Sequence, residues 1–90
     1  MLKHALGKAG ADTGTAVLTG DGQIFGINFD AGESTDTLKI YDAASATGVP
    51  IFQATGSVHV KLPGVAFDTG IYRVQTGANS VSNIYSNRKA

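Results

Sequence analysis

Carboxylate side chains that could bind a metal ion are concentrated in one stretch, DAGESTD. Asp30, Glu33 and Asp36 fall close together there, on either side of Gly32. Oxygen ligands at this density are able to hold a calcium ion. The EF-hand spacing is absent, however, and Asp, Ser, Thr and Gly are also the residues that turns use. We therefore predict a solvated turn, and a calcium ion bound between Asp30 and Asp36 stays open as the alternative.

Nucleophilic catalysis has no matching pattern in the chain. It requires a nucleophile, a base within reach and an acid that orients the base. Ser80, Ser82 and Ser86 have no histidine near them in the sequence, and no Gly-x-Ser-x-Gly turn is present. His59 falls on the outward face of an alternating strand, and the only other histidine is His4. Cysteine is absent, so a zinc site is not predicted either. We expect a non-enzymatic protein without catalytic residues, metal or cofactor.

The charge balance narrows the class of partner. Seven Lys and Arg residues balance seven Asp and Glu residues, which gives a formal net charge of zero. Without a basic stripe, nucleic acid is not an expected partner. No apolar run approaches the ~18 residues that cross a bilayer, and the N-terminal segment lacks the apolar region of a secretory signal. We expect no membrane association, and a chain that stays in the cytoplasm or leaves it inside a larger assembly.

The small size of the chain points to a partner protein. A domain of 90 residues buries only roughly 60–65% of its unfolded surface. Disulfides are excluded because there is no cysteine. Self-association or docking on a larger body is therefore the expected way to gain stability.

The strands that must position these side chains follow from alternation and from glycine-rich turns. About seven short strands are predicted, at residues 14–19, 23–29, 37–42, 50–55, 57–62, 71–76 and 81–86. They predict an all-β fold, a compact antiparallel β-sandwich of the jelly-roll or immunoglobulin type. Residues 14–90 would form this single domain. Residues 1–13 show no period and are predicted to be a flexible N-terminal arm, either disordered or ordered on a neighbouring subunit.

Within these strands, Phe25, Ile27 and Phe29 are predicted to share the inward face. Gly26 marks a bulge or a close approach, and Pro50 indicates an edge strand. The GDG turn at residues 20–22 predicts a hairpin of the first two strands.

Two further local hairpins are predicted, one joining residues 57–62 with 71–76 and the other joining 71–76 with 81–86. The stretch PGVAFDTG is interpreted as a loop whose Val65 and Phe67 turn inward.

Two long stretches, LKIYDAASATGVPIF and LPGVAFDTGIYRVQTG, resemble a pattern found in small virion proteins of tailed phages. The shared features are a strand ending in Tyr-Asp, a short connection of small residues, a strand beginning with Ile, a Gly-Val-x-Phe stretch and Gly-Ile-Tyr-x-Val. Here they occupy residues 41–42, 43–48, 51–52, 64–67 and 70–74. The resemblance covers roughly residues 22–86 and consists of turn-and-strand motifs.

The resemblance implies a virion structural protein that is assembled in the cytoplasm of the bacterial host. Its expected role is capsid decoration or cementing, as a homo-oligomer such as a trimer that binds the major capsid protein. The alternatives are a neck or tail adaptor, a fibre-base module, or a module that binds carbohydrate or the host surface. The residues expected to contact a partner are Leu2, Lys3, Leu6, Val65, Phe67 and Tyr41.

Overall fold

The computed structural model describes residues 3–89 as two four-stranded antiparallel sheets. The strands are β1 (His4–Ala9), β2 (Asp12–Thr19), β3 (Gly22–Asp30), β4 (Thr37–Tyr41), β5 (Phe52–Thr55), β6 (Val58–Phe67), β7 (Gly70–Gln75) and β8 (Val81–Ser86). Sheet A has the order β1-β8-β3-β6, and sheet B has the order β2-β7-β4-β5. The predicted antiparallel β-sandwich is confirmed, with eight strands instead of seven. These residues include no helix that is long and apolar enough to cross a membrane.

The strand order is that of a jelly roll. The chain doubles back once, at the β4–β5 hairpin, and each earlier strand then pairs with its counterpart on the return. Thus β3 pairs with β6, β2 with β7, and β1 with β8, all antiparallel. Successive pairs alternate between the two sheets, and this alternation selects the jelly roll over the immunoglobulin order.

The three predicted local hairpins are wrong. Strands β2 and β3 flank the turn at residues 20–21, yet they lie in different sheets, and so do β6 and β7, and β7 and β8. These turns carry the chain across the sandwich rather than back along the same sheet. Alternation shows which face of a strand is buried but contains no information about its partner, and therefore the local pairing could not be read from it.

Strand β1 lies within the segment predicted to be a flexible arm, so the sandwich begins before residue 14. It pairs with β8 along its whole length, from His4 opposite Ser86 to Ala9 opposite Val81. Leu6 is the one residue of β1 with a core side chain, and it is 6% exposed. A strand with a single buried apolar side chain leaves too weak an alternation to be recognised in the sequence.

The core lies between the sheets and takes apolar side chains from seven of the eight strands. It consists of Leu6, Leu18, Ile24, Ile27, Phe29, Leu38, Ile40, Phe67, Ile71 and Ile84. Fully burying side chains of this size stabilises the fold by about 1.5–3 kcal/mol each. The inward alternation predicted for β6 is confirmed, because Val58, Val60 and Leu62 pack against this core.

An irregularity in β3 changes the predicted inward face of that strand. The register of β3 with both neighbours shifts between Ile24 and Gly26, which confirms the predicted bulge. Because of this shift, Ile24, Ile27 and Phe29 are buried, while Phe25 is only half-buried. The prediction that Phe25 faces inward is therefore wrong.

Strand β6 continues through the segment predicted to be a loop. On the β6 side of the same register shift the pairing passes from Lys61 to Val65. Pro63 has no N–H to donate, and Gly64 has a φ of 103°, a conformation that favours glycine. Together with Leu62 they form the irregular section, and the strand then resumes and ends at Phe67.

Candidate functional site

A groove of about 370 Å³ lies on sheet A and is named here the sheet A groove. Its lining comes from β3, β6, β8 and the residue before β1, and comprises Lys3, Phe25, Gly26, Asn28, Val60, Lys61, Leu62 and Tyr85. The volume lies at the lower end of the range of small-molecule sites, which is about 300–1,000 Å³.

The β3 bulge builds the apolar part of this groove. It turns Phe25 out of the core, and the ring then lies against the backbone of Gly64. A Cβ placed on Gly64 would be 3.2 Å from Phe25 Cε1. Gly26 opens the neighbouring position, where a Cβ would be 3.3 Å from the Val60 carbonyl oxygen and 3.4 Å from Tyr85 Cδ2. Because glycine has no side chain, the Phe25 ring can lie against the backbone at Gly64. At Gly26, no side chain is present to contact Val60 and Tyr85.

Polar groups converge on the same groove. Asn28 Nδ2 donates to the hydroxyl oxygen of Tyr85 at 3.3 Å. The ammonium group of Lys3 lies 5.4 Å from the centroid of the Phe25 ring, within the range of a cation–π interaction. Lys61 adds a second ammonium group to the lining. The groove thus combines aromatic surface, an amide, a phenol and two positive charges.

The loop that joins β4 to β5, residues 42–51, carries two of the exposed large apolar side chains found between residues 3 and 89. Val49 is 88% exposed and Ile51 is 38% exposed. The base of this β4–β5 loop is fixed, because Ile51 N donates to the Ile40 carbonyl at 2.8 Å. Ile51 therefore lies at the fixed base of the loop, and the exposed apolar side chain toward its tip is Val49.

Asp42 fixes the other end of the β4–β5 loop. Its Oδ1 accepts hydrogen bonds from Asp68 N, Thr69 N and Gly70 N at 3.1, 2.8 and 3.3 Å. The Asp68 N–H, first among these donors, lowers the pKa of Asp42 from its ordinary value of 3.8, against a smaller effect of burial. The carboxylate thereby ties β4 to the turn between β6 and β7.

Three of the residues predicted to contact a partner are instead buried in the fold. Leu6 and Phe67 belong to the core, where they are 6% and 1% exposed. Tyr41 is 9% exposed. Phe67 was predicted to turn inward from a loop, and it does face inward, but as the last residue of β6. These side chains stabilise the chain itself and are not available to a partner in this fold.

The other three predicted contact residues have different positions. Lys3 is exposed and lines the sheet A groove. Val65 is half-buried on β6, opposite Ile24. Leu2 lies outside the described residues. The exposed large apolar residues that the sequence did not point out are Val49, Ile51 and Val81. The first two lie in a loop of small residues, which carries no periodic signal.

The acidic loop does not bring its carboxylates together. Asp36 accepts from Ser80 Oγ at 3.0 Å and from Glu33 N at 2.8 Å, and so acts within a turn. Asp30 instead pairs with His59 at 2.8 Å, and both side chains are more than half exposed. Between residues 3 and 89 no three His, Cys, Asp or Glu side chains are grouped as metal ligands.

The three tyrosines are divided between the two sheets. Tyr41 and Tyr72 are opposite each other in sheet B. Tyr85 belongs to sheet A, where it lines the groove. The three rings therefore do not share one aromatic face.

A polar cluster inside the sandwich was also missed. Arg73 is 4% exposed, and its Nη1 donates to the Leu6 carbonyl at 2.7 Å and to Ser82 Oγ at 3.4 Å. Its Nη2 donates to the Gly7 carbonyl at 3.3 Å. Burial lowers the pKa of Arg73, and the charge of Asp12 partly opposes this effect.

Gln75, two residues further along β7, extends this cluster. Its Nε2 donates to the Gly10 carbonyl at 2.8 Å, and its Oε1 accepts from the Ser82 hydroxyl. Strand β7 of sheet B therefore holds the edge strand β1 of sheet A through side-chain bonds to backbone carbonyls. These bonds identify the cluster as structural.

Comparisons with models of protein families, with curated proteins and with solved structures found no match to this chain.

Proposed function

We propose that this protein is a non-enzymatic virion component of a tailed phage that decorates the capsid. It binds the major capsid protein as a homo-oligomer, through the tip of the β4–β5 loop, and stabilises the shell. The single observation that carries the proposal is the exposure of Val49 and Ile51 on a loop whose two ends are fixed. The jelly-roll strand order also occurs in viral capsid domains, and this supports the proposal of a virion structural protein.

The loop suits docking for two physical reasons. Covering one exposed side chain such as Val49 is worth about 1.5–3 kcal/mol, which alone gives weak binding. An oligomer that presents several copies of the loop to a repetitive shell converts this weak contact into strong attachment, because each later contact is intramolecular. The small side chains of residues 43–48 let the backbone approach the shell closely.

The test is the resistance of particles to heat. Particles stripped of the protein should release their DNA at a lower temperature than full particles, and adding back the purified chain should restore resistance. Val49→Ser should abolish the restoration without changing the melting temperature of the isolated chain. Val81→Ser is the matched control, since Val81 is 41% exposed but lies on β8 and not in the loop. Equal heat resistance of stripped and full particles would contradict a cementing role.

Copy number separates capsid decoration from the neck, tail and fibre-base alternatives. Decoration predicts a copy number proportional to that of the major capsid protein. A small fixed number of copies per particle would place the chain at the neck or tail instead.

The sheet A groove favours a second candidate function, a module that binds carbohydrate on the host surface. Jelly rolls also occur among lectins. The observation behind this candidate is the meeting of Phe25 and Tyr85 with the Asn28 amide in one groove. Binding of oligosaccharides by the isolated chain tests it directly.

A further inference from the structure

We propose that the sheet A groove binds a short saccharide that carries a carboxylate, as a uronic acid does. The inference rests on the second candidate function above and names its ligand class; it does not depend on capsid docking. The observation behind it is the juxtaposition of aromatic rings, hydrogen-bonding groups and two ammonium groups around one groove.

The aromatic side chains supply the surface on which a sugar ring packs. Phe25 is held outside the core by the β3 bulge and rests on the backbone at Gly64, so its position is fixed before a ligand arrives. The C–H face of a pyranose ring is apolar and packs on an aromatic ring of this kind. Tyr85 lines the same groove and adds a second aromatic surface.

Hydroxyl groups of the ligand have matching partners. Because Asn28 Nδ2 donates to the Tyr85 oxygen, the phenolic proton is left to point to another acceptor. The Oδ1 of Asn28 remains an acceptor for a ligand hydroxyl. The Asn28–Tyr85 pair therefore offers one hydrogen-bond donor and one acceptor in a fixed arrangement. Hydroxyl groups of a sugar can bond to both.

The charge of the lining selects an acidic ligand. Lys3 and Lys61 contribute two ammonium groups, while no Asp or Glu is among the described residues that line the groove. Asp30 is the carboxylate on β3 in the same sheet, and it pairs with His59 at 2.8 Å. On a chain with zero formal net charge, this groove is a local positive site. Charge-assisted hydrogen bonds from ammonium groups to a carboxylate are stronger than bonds between neutral groups.

The dimensions fit a monosaccharide or a short oligosaccharide. The groove has a volume of about 370 Å³, and Gly26 is one of its lining residues. A methyl group on Gly26 would lie 3.4 Å from Tyr85 Cδ2, in contact with that ring.

The experiment is a titration of the isolated, isotopically labelled chain, followed by NMR. The probes are a short oligogalacturonate and a neutral galacto-oligosaccharide of the same length. We expect the acidic probe to bind more tightly, to shift amide signals of β3, β6 and β8, and to lose affinity as salt is raised. Lys61→Gln should weaken its binding about 1.5- to fivefold, the effect of losing one exposed ion pair.

Two further variants complete the test. Lys39→Gln is the matched control, because Lys39 lies on β4 in sheet B, and it should leave binding unchanged. Tyr85→Phe removes only the hydroxyl group and should weaken the acidic and the neutral probe alike.

Two outcomes would overturn the inference in distinguishable ways. Equal affinity for both probes, or equal effects of Lys61→Gln and Lys39→Gln, would refute the carboxylate preference while leaving carbohydrate binding in place. Absence of binding to either probe would refute the second candidate function as well.

Discussion

Arg73 is the residue whose replacement tests the packing of the sandwich most sharply. We consider Arg73→Met, which keeps an unbranched side chain of similar length and removes the guanidinium. The variant loses the bond to the Leu6 carbonyl at 2.7 Å and the two longer bonds to Gly7 and Ser82. It also leaves Asp12, 7% exposed, without the opposite charge that faces it across the cluster.

The loss of stability expected for Arg73→Met follows from these contacts. A short hydrogen bond from a charged group contributes about 1.5–3 kcal/mol, and the two longer bonds add about 1 kcal/mol together. Part of this loss is regained, because the variant no longer buries a charged guanidinium. In the wild type the Nε of that group is buried with no hydrogen-bond partner within residues 3–89, which is itself a cost. The net loss is about 3 kcal/mol in the free energy of unfolding. For a domain of this size, that loss lowers the melting temperature by about 12–24 °C.

The assay is urea unfolding of the wild type and of two variants, followed by circular dichroism. Arg88→Met is the matched control, because Arg88 also donates to two backbone carbonyls, of Thr19 and Asp21, but is only half-buried and makes these bonds at the surface. We expect it to cost less than about 1 kcal/mol. Hydrogen exchange should show faster exchange of β1 amides in Arg73→Met. Equal losses in the two variants, with unchanged exchange in β1, would refute the role assigned to Arg73.

Three further predictions concern turns and pH. Because the folded pKa of Asp42 is lowered from 3.8, its stabilising effect is fully present above that value and is lost as the pH falls through the folded pKa. Urea unfolding should therefore show Asp42→Asn less stable than wild type by about 1 kcal/mol at pH 7, with the gap closing as the pH falls below 3.8. Gly77 has a φ of 104°, and a Cβ there would overlap the Asp36 carboxylate and the Ser80 hydroxyl, so thermal melts should show Gly77→Ala destabilised by about 3 kcal/mol or more. Gly48→Ala, at a φ of 75° with nothing within 4 Å of the added Cβ, should cost only about 1 kcal/mol in the same melts. Equal costs at the two glycines, or a pH-independent effect of Asp42→Asn, would contradict these assignments.

The sequence predicted those features of the fold that depend on one strand at a time. The alternation of Val58, Val60 and Leu62 located the inward face of β6, and Gly26 marked the bulge of β3. Pro50 indicated that the following strand lies at an edge, and β5 is an edge strand of sheet B. Each of these signals is local, because it concerns the backbone or the faces of a single strand.

Features that depend on contacts between distant strands could not be predicted. Arg73 and Gln75 alternate with Tyr72 and Val74, and composition favours burying the second pair. The structure buries the first pair because carbonyls of β1, more than 60 positions away in the sequence, accept their hydrogen bonds. The sheet A groove is equally non-local, since Phe25, Lys61 and Tyr85 meet only after β3, β6 and β8 have paired.

A cryo-EM map of virions that contain the chain would show whether it decorates the phage shell through its β4–β5 loop. We expect a jelly roll seated over junctions between major capsid subunits, with Val49 and Ile51 buried against the shell. A shell without this density, or a bound domain whose β4–β5 loop points into solvent, would contradict it.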